Sequence, residues 1–253
     1  MISITEAQLT AWITPVLWPF LRVLALFTAL PVLNQRSVPM RVRVALAFFI
    51  ALAAAGTGPA APDVPLDSAL AVMLVLQQVL IGVSLGFAVR VVFAAVEFGG
   101  ELIGLQMGLN FAGFFDPITA AQATPTSRFF GTLVAFLFIA MNGHLLVIEA
   151  VVQSLVAFPI AAEPFRFLHA VRPEAWGAEI FRLGLWIALP LIGMMLFINL
   201  VLGIIARVAP QVGIFSVGFP MTLGVGLVGI AFTLPLLQTP FVVALEHMLA
   251  FFR

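Results

Sequence analysis

Apolar residues fall into six runs, at about 11–30, 42–55, 69–115, 129–158, 181–208 and 214–252, parted by short polar stretches. These lengths do not describe a simple series of membrane spans. A spanning helix needs about 20 residues, within roughly 17 to 25, so the second run is too short and the third about twice too long. The third is therefore expected to be a hairpin or a sharply bent helix, with its break at Gly99-Gly100. The fourth carries Asn142-Gly143-His144 at its middle and reads either as one long tilted helix or as a short hairpin.

Loops are expected over 34–40, 56–65, 116–128 and 159–177. The last is the most polar, with Glu163, Arg166, His169, Arg172 and Glu174. Arg36, Arg41 and Arg43 mark the first loop as cytoplasmic, while Asp63 and Asp67 mark the next as non-basic, although the helix between them is too short to cross comfortably. The pattern predicts an all-α membrane protein of about six to eight helices, without a repeat of fixed period.

Composition sharpens the class. The chain is 63% hydrophobic and 9% charged, with a mean hydropathy of +1.20, far from the roughly 25% charged residues of a soluble domain. Net charge is zero and every cation is an arginine, so no nucleic-acid footprint is present. The absence of cysteine removes disulfides, thiolate metal sites and thiol nucleophiles. Glu6 precedes the first apolar run and no basic residue comes before Arg22, which is unlike a cleavable signal peptide.

Several short patterns resemble catalytic motifs and read better as helix packing. Gly82-Val-Ser84-Leu-Gly86 fits G-x-S-x-G, but a nucleophile elbow needs a strand-to-helix turn and a positioned histidine, and the flanks here read as one helix. An intramembrane serine protease is the enzyme alternative it raises. Gly224-Val-Gly226-Leu-Val-Gly229 fits G-x-G-x-x-G without the strand or the later acid of a dinucleotide site. His144, His169 and His247 are scattered, with no metal-ligand spacing.

Residues 97–117 are different in kind, with Glu97, Glu101 and Asp116, five glycines and a phenylalanine cluster inside an apolar run. A charge at the bilayer centre costs about 2.5 to 3.5 kcal/mol on insertion scales, so Glu97 and Glu101 should face protein or water. In a continuous helix Arg90, Glu97 and Glu101 share one face with Ala94 and Gly104, either as buried charges that hold helices together or as the lining of a pathway. Asn199, Gly203 and Arg207 recur at intervals of four, ending at Pro210-Gln211, where the helix dipole favours an arginine. Phe111, Gly113, Phe114, Phe115 and Asp116 combine bulky apolar side chains with a mobile backbone and a turn. That suits a plug that closes a pore, or an amphipathic loop at the membrane surface.

These residues resemble the FliR/SctT family of type III protein-export gate subunits. Three blocks carry the likeness: Leu30-Pro31 through Pro39-Met40-Arg41-Val42-Arg43; Glu97 with Gly99-Gly100 through Gly108-Leu-Asn-Phe111-Ala and Phe115-Asp116-Pro117; and Asn199 through Arg207-Val-Ala-Pro210-Gln211 with Phe215 and Gly218-Phe-Pro220. Asn142-Gly143-His144-Leu-Leu is a further block. Gly213 stands where the family often has Asn or Ser.

The resemblance implies a non-enzymatic, cofactor-free subunit of a flagellar export gate in the bacterial inner membrane. It implies FliP and FliQ as partners, FlhB at the cytoplasmic entrance, and unfolded flagellar proteins as cargo. It also implies inclined helical hairpins, with a FliP-like part over residues 1–170 fused to a FliQ-like hairpin over 171–253. On that reading Phe111, Gly113, Phe114, Phe115 and Asp116 form a plug or gasket near the pore, with Gly99, Gly100 and Gly108 as hinges. Arg90, Glu97, Glu101, Asn199, Arg207 and Gln211 supply buried charge and packing. An injectisome subunit is the alternative within the family. Outside it stands a secondary transporter or ion channel in which Glu97, Glu101 and Asp116 carry protons or cations.

Overall fold

The computed structural model describes residues 6–59, 64–65, 68–109, 124–160, 165–209 and 217–253. Among them nine α-helices follow one another: α1 Glu6–Ala29, α2 Met40–Ala54, α3 Ala69–Gln106, α4 Pro125–Ala140, α5 Gly143–Ala157, α6 Arg166–Val171, α7 Gly177–Val208, α8 Phe219–Thr233 and α9 Gln238–Ala250. Short 3-10 turns at Pro173–Trp176 and Leu234–Leu237 precede α7 and α9. Four helical stretches are long and apolar enough to cross a membrane, and α4 with α5 make a fifth if counted as one broken span. The chain is an all-α membrane protein. It has more helices than the six to eight expected, because the fourth apolar run divides and the polar stretch contains α6.

That fourth run is not one continuous helix. It stops at Met141 and restarts at Gly143, because Asn142 takes a left-handed backbone (φ 56°, ψ 28°), a conformation that asparagine tolerates better than most residues. The third run departs from expectation. α3 continues for 38 residues, straight through Gly99-Gly100, about 57 Å at 1.5 Å per residue. The chain breaks two residues beyond the end of α3 instead, at Gly108, whose φ of 81° favours glycine and strains most residues with a Cβ. The loop expected to reach 128 ends earlier as well. Thr124 caps α4, its Oγ1 accepting from the Ser127 N–H at 3.2 Å, and Pro125 takes the first position, where its missing N–H costs nothing.

The described residues form two compact units, each discontinuous in sequence. The first comprises Met1–Arg90, Asn142–Trp176 and Leu245–Arg253, and the second Val91–Met141 and Gly177–Ala244. In the first, α2 lays Ala47, Ala51 and Ala54 on α1, a stripe at helical spacing that leaves its larger side chains outside. α3 meets α1 through Gly82 and Gly86, a small-residue crossing of the kind common between membrane helices. Phe252 is fully buried with its ring 6.5 Å from Phe158 and 6.0 Å from Trp176, so the last residues of the chain close this unit.

The same unit buries a charge that the apolar pattern did not reveal. Arg22 is completely enclosed. Its Nε donates to Gln78 Oε1 at 2.7 Å, Nη1 to the Ser154 carbonyl and hydroxyl, and Nη2 to the Phe158 carbonyl at 2.8 Å. Gln78 in turn donates to Gln77, and Gln77 to the Pro159 carbonyl at 3.4 Å. The carbonyls of Ser154 and Phe158 belong to the end of α5, where the helix dipole is negative, so a cation there is favoured and its donors find buried acceptors. The result ties α1, α3 and the end of α5 together.

Candidate functional site

In the second unit the end of α3 and the residue just beyond it, Met107, meet three helices in succession. Gly99 faces the Gly184 carbonyl of α7, where an added Cβ would lie 3.1 Å away. Gly184 in turn fits against Phe98 and the Ala95 carbonyl. Gly100 is covered by the ring of the fully buried Phe130 on α4, and Gly104 by Thr126 at the start of that helix. One turn later the buried Met107 fills the space over Gly226 of α8, and the Thr222 hydroxyl donates to the Met107 carbonyl at 3.3 Å. Gly99 and Gly100 are thus contact points, and a bulkier residue at either would push helices apart.

This packing fixes the two ends of a segment. The chain leaves α3 at Met107-Gly108 and returns at Thr124, and the Gly104–Thr126 contact brings its departing and returning strands together. The intervening residues, including Phe111, Gly113, Phe114, Phe115 and Asp116, lie outside the described residues, as does Gln211. The helix ends on either side of them are closely packed, with Ile103, Met107, Thr126 and Phe130 buried.

The expected buried charges are placed differently. Arg90, Glu97 and Glu101 are all exposed in the chain, as are Asn199 and Arg207. Towards its C-terminal end α3 has its glycine face and most of its apolar positions covered, and the residues it exposes there are Glu97, Glu101 and Leu105. Glu97 nonetheless lies against α4, since a Cβ on Gly131 would come 2.9 Å from its Oε1, and it is a partnered group. Asn199, Gly203 and Arg207 share an open face of α7, with nothing within 4 Å of the position a Cβ on Gly203 would take. Arg207 stands in the last turn of that helix, as its dipole favours.

The motif-like patterns resolve as packing. Ser84 is buried in mid-helix between two glycines that abut α1, not at a strand-to-helix turn. Gly226 and Gly229 of α8 receive Met107 and Met194, while Gly224 opens onto an apolar cavity of about 550 Å³ lined by Pro190, Met194 and Phe232 among others. Among the described residues no cluster of three His, Asp or Glu side chains is arranged to hold a metal ion. The Arg22 network is the feature that sequence reading missed. Its only local signal is an arginine inside one apolar helix and a Gln77-Gln78 pair inside another.

Comparison with known proteins gives a consistent answer over nearly the whole length. The family profile described as Bacterial export proteins, family 1, matches residues 13–248. The flagellar biosynthetic protein FliR of Escherichia coli (strain K12) is 44% identical over 248 residues, covering 98% of this chain and 93% of that protein. That of Pectobacterium carotovorum is 42% identical over 251 residues, with the same coverage. The FliR of Bacillus subtilis is 29% identical over 216 residues, covering 83% of this chain and 82% of its own. With the FliR blocks, the all-α membrane fold and this end-to-end similarity in agreement, the chain belongs to the FliR family of bacterial export proteins.

Proposed function

We propose that the chain is a structural and gating subunit, not an enzyme, of the flagellar type III export channel in the inner membrane. It assembles with FliP and FliQ, meets FlhB at the cytoplasmic entrance, and passes unfolded flagellar proteins. The observation that carries this reading is the closed, glycine-packed stem formed by the end of α3 and the start of α4, which presents the segment containing Phe111, Phe114 and Phe115. A water-tight seal needs bulky apolar groups on a flexible backbone, held by a base that does not move with them. Gly108 is the point at which that base gives way to the segment.

In this reading Glu97 braces α3 against α4, and Arg90 and Glu101 meet protein or water beyond this chain. The FliP-like part takes residues 1–170 and the FliQ-like hairpin 171–253, a division supported by the 32-residue α7 that follows the polar stretch. Deleting residues 113–115 tests the plug. Cells making the variant gate should leak small ions at rest while the complex still assembles, and a resting membrane as tight as the wild type would sink the assignment. Mass measurement after mild-detergent purification tests the partners, because a mixed oligomer is expected and a homo-oligomer or monomer speaks for a transporter.

A further inference from the structure

Between Glu6 and Asp63 the chain has no carboxylate and four arginines. Two of the four are already used. Arg22 is enclosed by carbonyls and amides as described, and Arg43 folds back on its own loop, donating to Asn34 Oδ1 at 3.1 Å and to the Gln35 and Val38 carbonyls at 3.0 and 3.2 Å. Arg36 and Arg41 are both exposed and make no hydrogen bond or ion pair among the described residues. The Arg43 bonds stiffen the loop that carries Arg36.

Arg41 is also at the wrong end of a helix for its own benefit. It lies in the first turn of α2, where the dipole is positive and cations are disfavoured, and that turn has neither a capping side chain nor an acidic residue. The local field therefore favours an anion from outside. Immediately beside it α2 exposes Met40, Val42, Val44, Phe48 and Phe49. At 15 residues, about 22 Å, α2 is too short to cross a hydrocarbon core of about 30 Å. An occupant must thus supply negative charge at one end of this helix and apolar surface along its side.

We propose that the 31–39 loop and the first turn of α2 are a docking site for an anionic phospholipid. Its phosphate meets the Arg36 and Arg41 guanidinium groups, and its acyl chains lie along the exposed face of α2. Guanidinium forks pair well with phosphate oxygens, and an anionic phospholipid joins the charged head to long apolar chains in one molecule. The proposal goes beyond the gate assignment and needs only that the chain resides in a membrane.

The test uses the chain in the complex it forms, exchanged into mixed micelles holding equal phosphatidylglycerol and phosphatidylcholine, with retained lipids counted by native mass spectrometry. The wild type should retain phosphatidylglycerol preferentially, and rising salt should erode the preference. An Arg36→Gln/Arg41→Gln variant should lose about 30-fold in that preference, from about 1 kcal/mol per arginine at a membrane surface. Arg36→Lys/Arg41→Lys, which keeps the charge, should retain most of it. Equal retention of the two lipids by the wild type overturns the proposal, and so does unchanged phosphatidylglycerol retention by the glutamine variant. Loss of a protein subunit from the glutamine variant with its lipid count unchanged also overturns it, and assigns the patch to an acidic partner protein.

Discussion

Replacing Gly82 by alanine adds one methyl group at the tightest approach of α1 and α3. That methyl would fall on the Arg22 carbonyl oxygen and lie 2.9 Å from Ala25 Cβ and 3.0 Å from the Leu26 nitrogen. Two of these are backbone atoms, which cannot swing aside as a side chain would. Since carbon atoms prefer about 3.5 to 4 Å, the two helices must part by about 1 Å. The same pair is joined by the 2.7 Å bond from Arg22 Nε to Gln78 Oε1, and that parting takes it beyond the roughly 3.2 Å reach of a hydrogen bond. Overpacking costs about 1–3 kcal/mol, and a charge-assisted bond contributes about 1.5–3 kcal/mol. Alanine returns about 1 kcal/mol of helix propensity, which leaves a net loss of about 3 kcal/mol. Unfolding of the purified full chain, followed by tryptophan fluorescence, should register it, because the buried Trp18 lies one turn before Arg22. Gly203→Ala is the control. It sits on an open helix face and should leave the chain as stable or stabilise it by up to about 1 kcal/mol. If Gly82→Ala unfolds with the wild type, or if Gly203→Ala is equally harmful, close approach is not what the glycine provides.

Arg22→Met strands the Gln78 and Phe158 acceptors, at about 1–3 kcal/mol each, while the Ser154 carbonyl keeps its bond from the Phe158 N–H, and the loss is offset in part because a cation is no longer buried. A net destabilisation of about 2–4 kcal/mol is expected in the same unfolding assay. Arg22→Lys should recover less than half, since one ammonium cannot reach acceptors on two helices at once; a methionine variant as stable as the wild type counts against the clamp. Gly108→Val forces a branched residue to a φ of 81°, a strain of about 1–2 kcal/mol, whereas Gly108→Asn is tolerated. If this turn aims the phenylalanine segment, the valine variant raises resting ion leak and the asparagine variant does not, so equal leak from the two refutes the hinge.

The membrane class, the helical content and the inability of α2 to cross were all readable from run lengths and composition. The break at Asn142 was only partly readable, because asparagine is among the few residues that take a left-handed turn readily while one continuous helix fitted the run as well. Gly99-Gly100 was not, and the reason is physical. Glycine can mean a flexible backbone or a side chain small enough to let another helix touch, and only the partner decides between them. Here the partners are Gly184 and Phe130, which no local pattern announces. Arg22 poses the same problem more sharply, since its acceptors lie 56 and 132 positions away. The charged edge of α3 was legible as charge but not as exposure, because hydropathy reports the average of a helix and not the direction of each side chain.

Helix length and burial together bear on whether this chain can act alone. Of the 18-residue apolar segment within Ala69–Gln106, 67% is buried within the chain, against 17% for that within Phe167–Val208 and 22% for that within Phe219–Ala250. Along α7, exposed large apolar residues run from Phe181 to Val208, 27 steps or about 40 Å of axis at 1.5 Å each. A hydrocarbon core of about 30 Å covers that length only if the helix tilts by about 40°, the limit of what membrane helices show. Lipid alone therefore covers the face only in an extreme pose. Asn199 and the open Gly203 lie within this same face. An amide is poorly placed against acyl chains and well placed against a neighbouring helix, and an empty glycine lets that helix come close. Exposed length, an unshielded amide and an unused glycine thus favour protein cover over lipid along part of α7. That supports a subunit completed by others over a self-sufficient transporter.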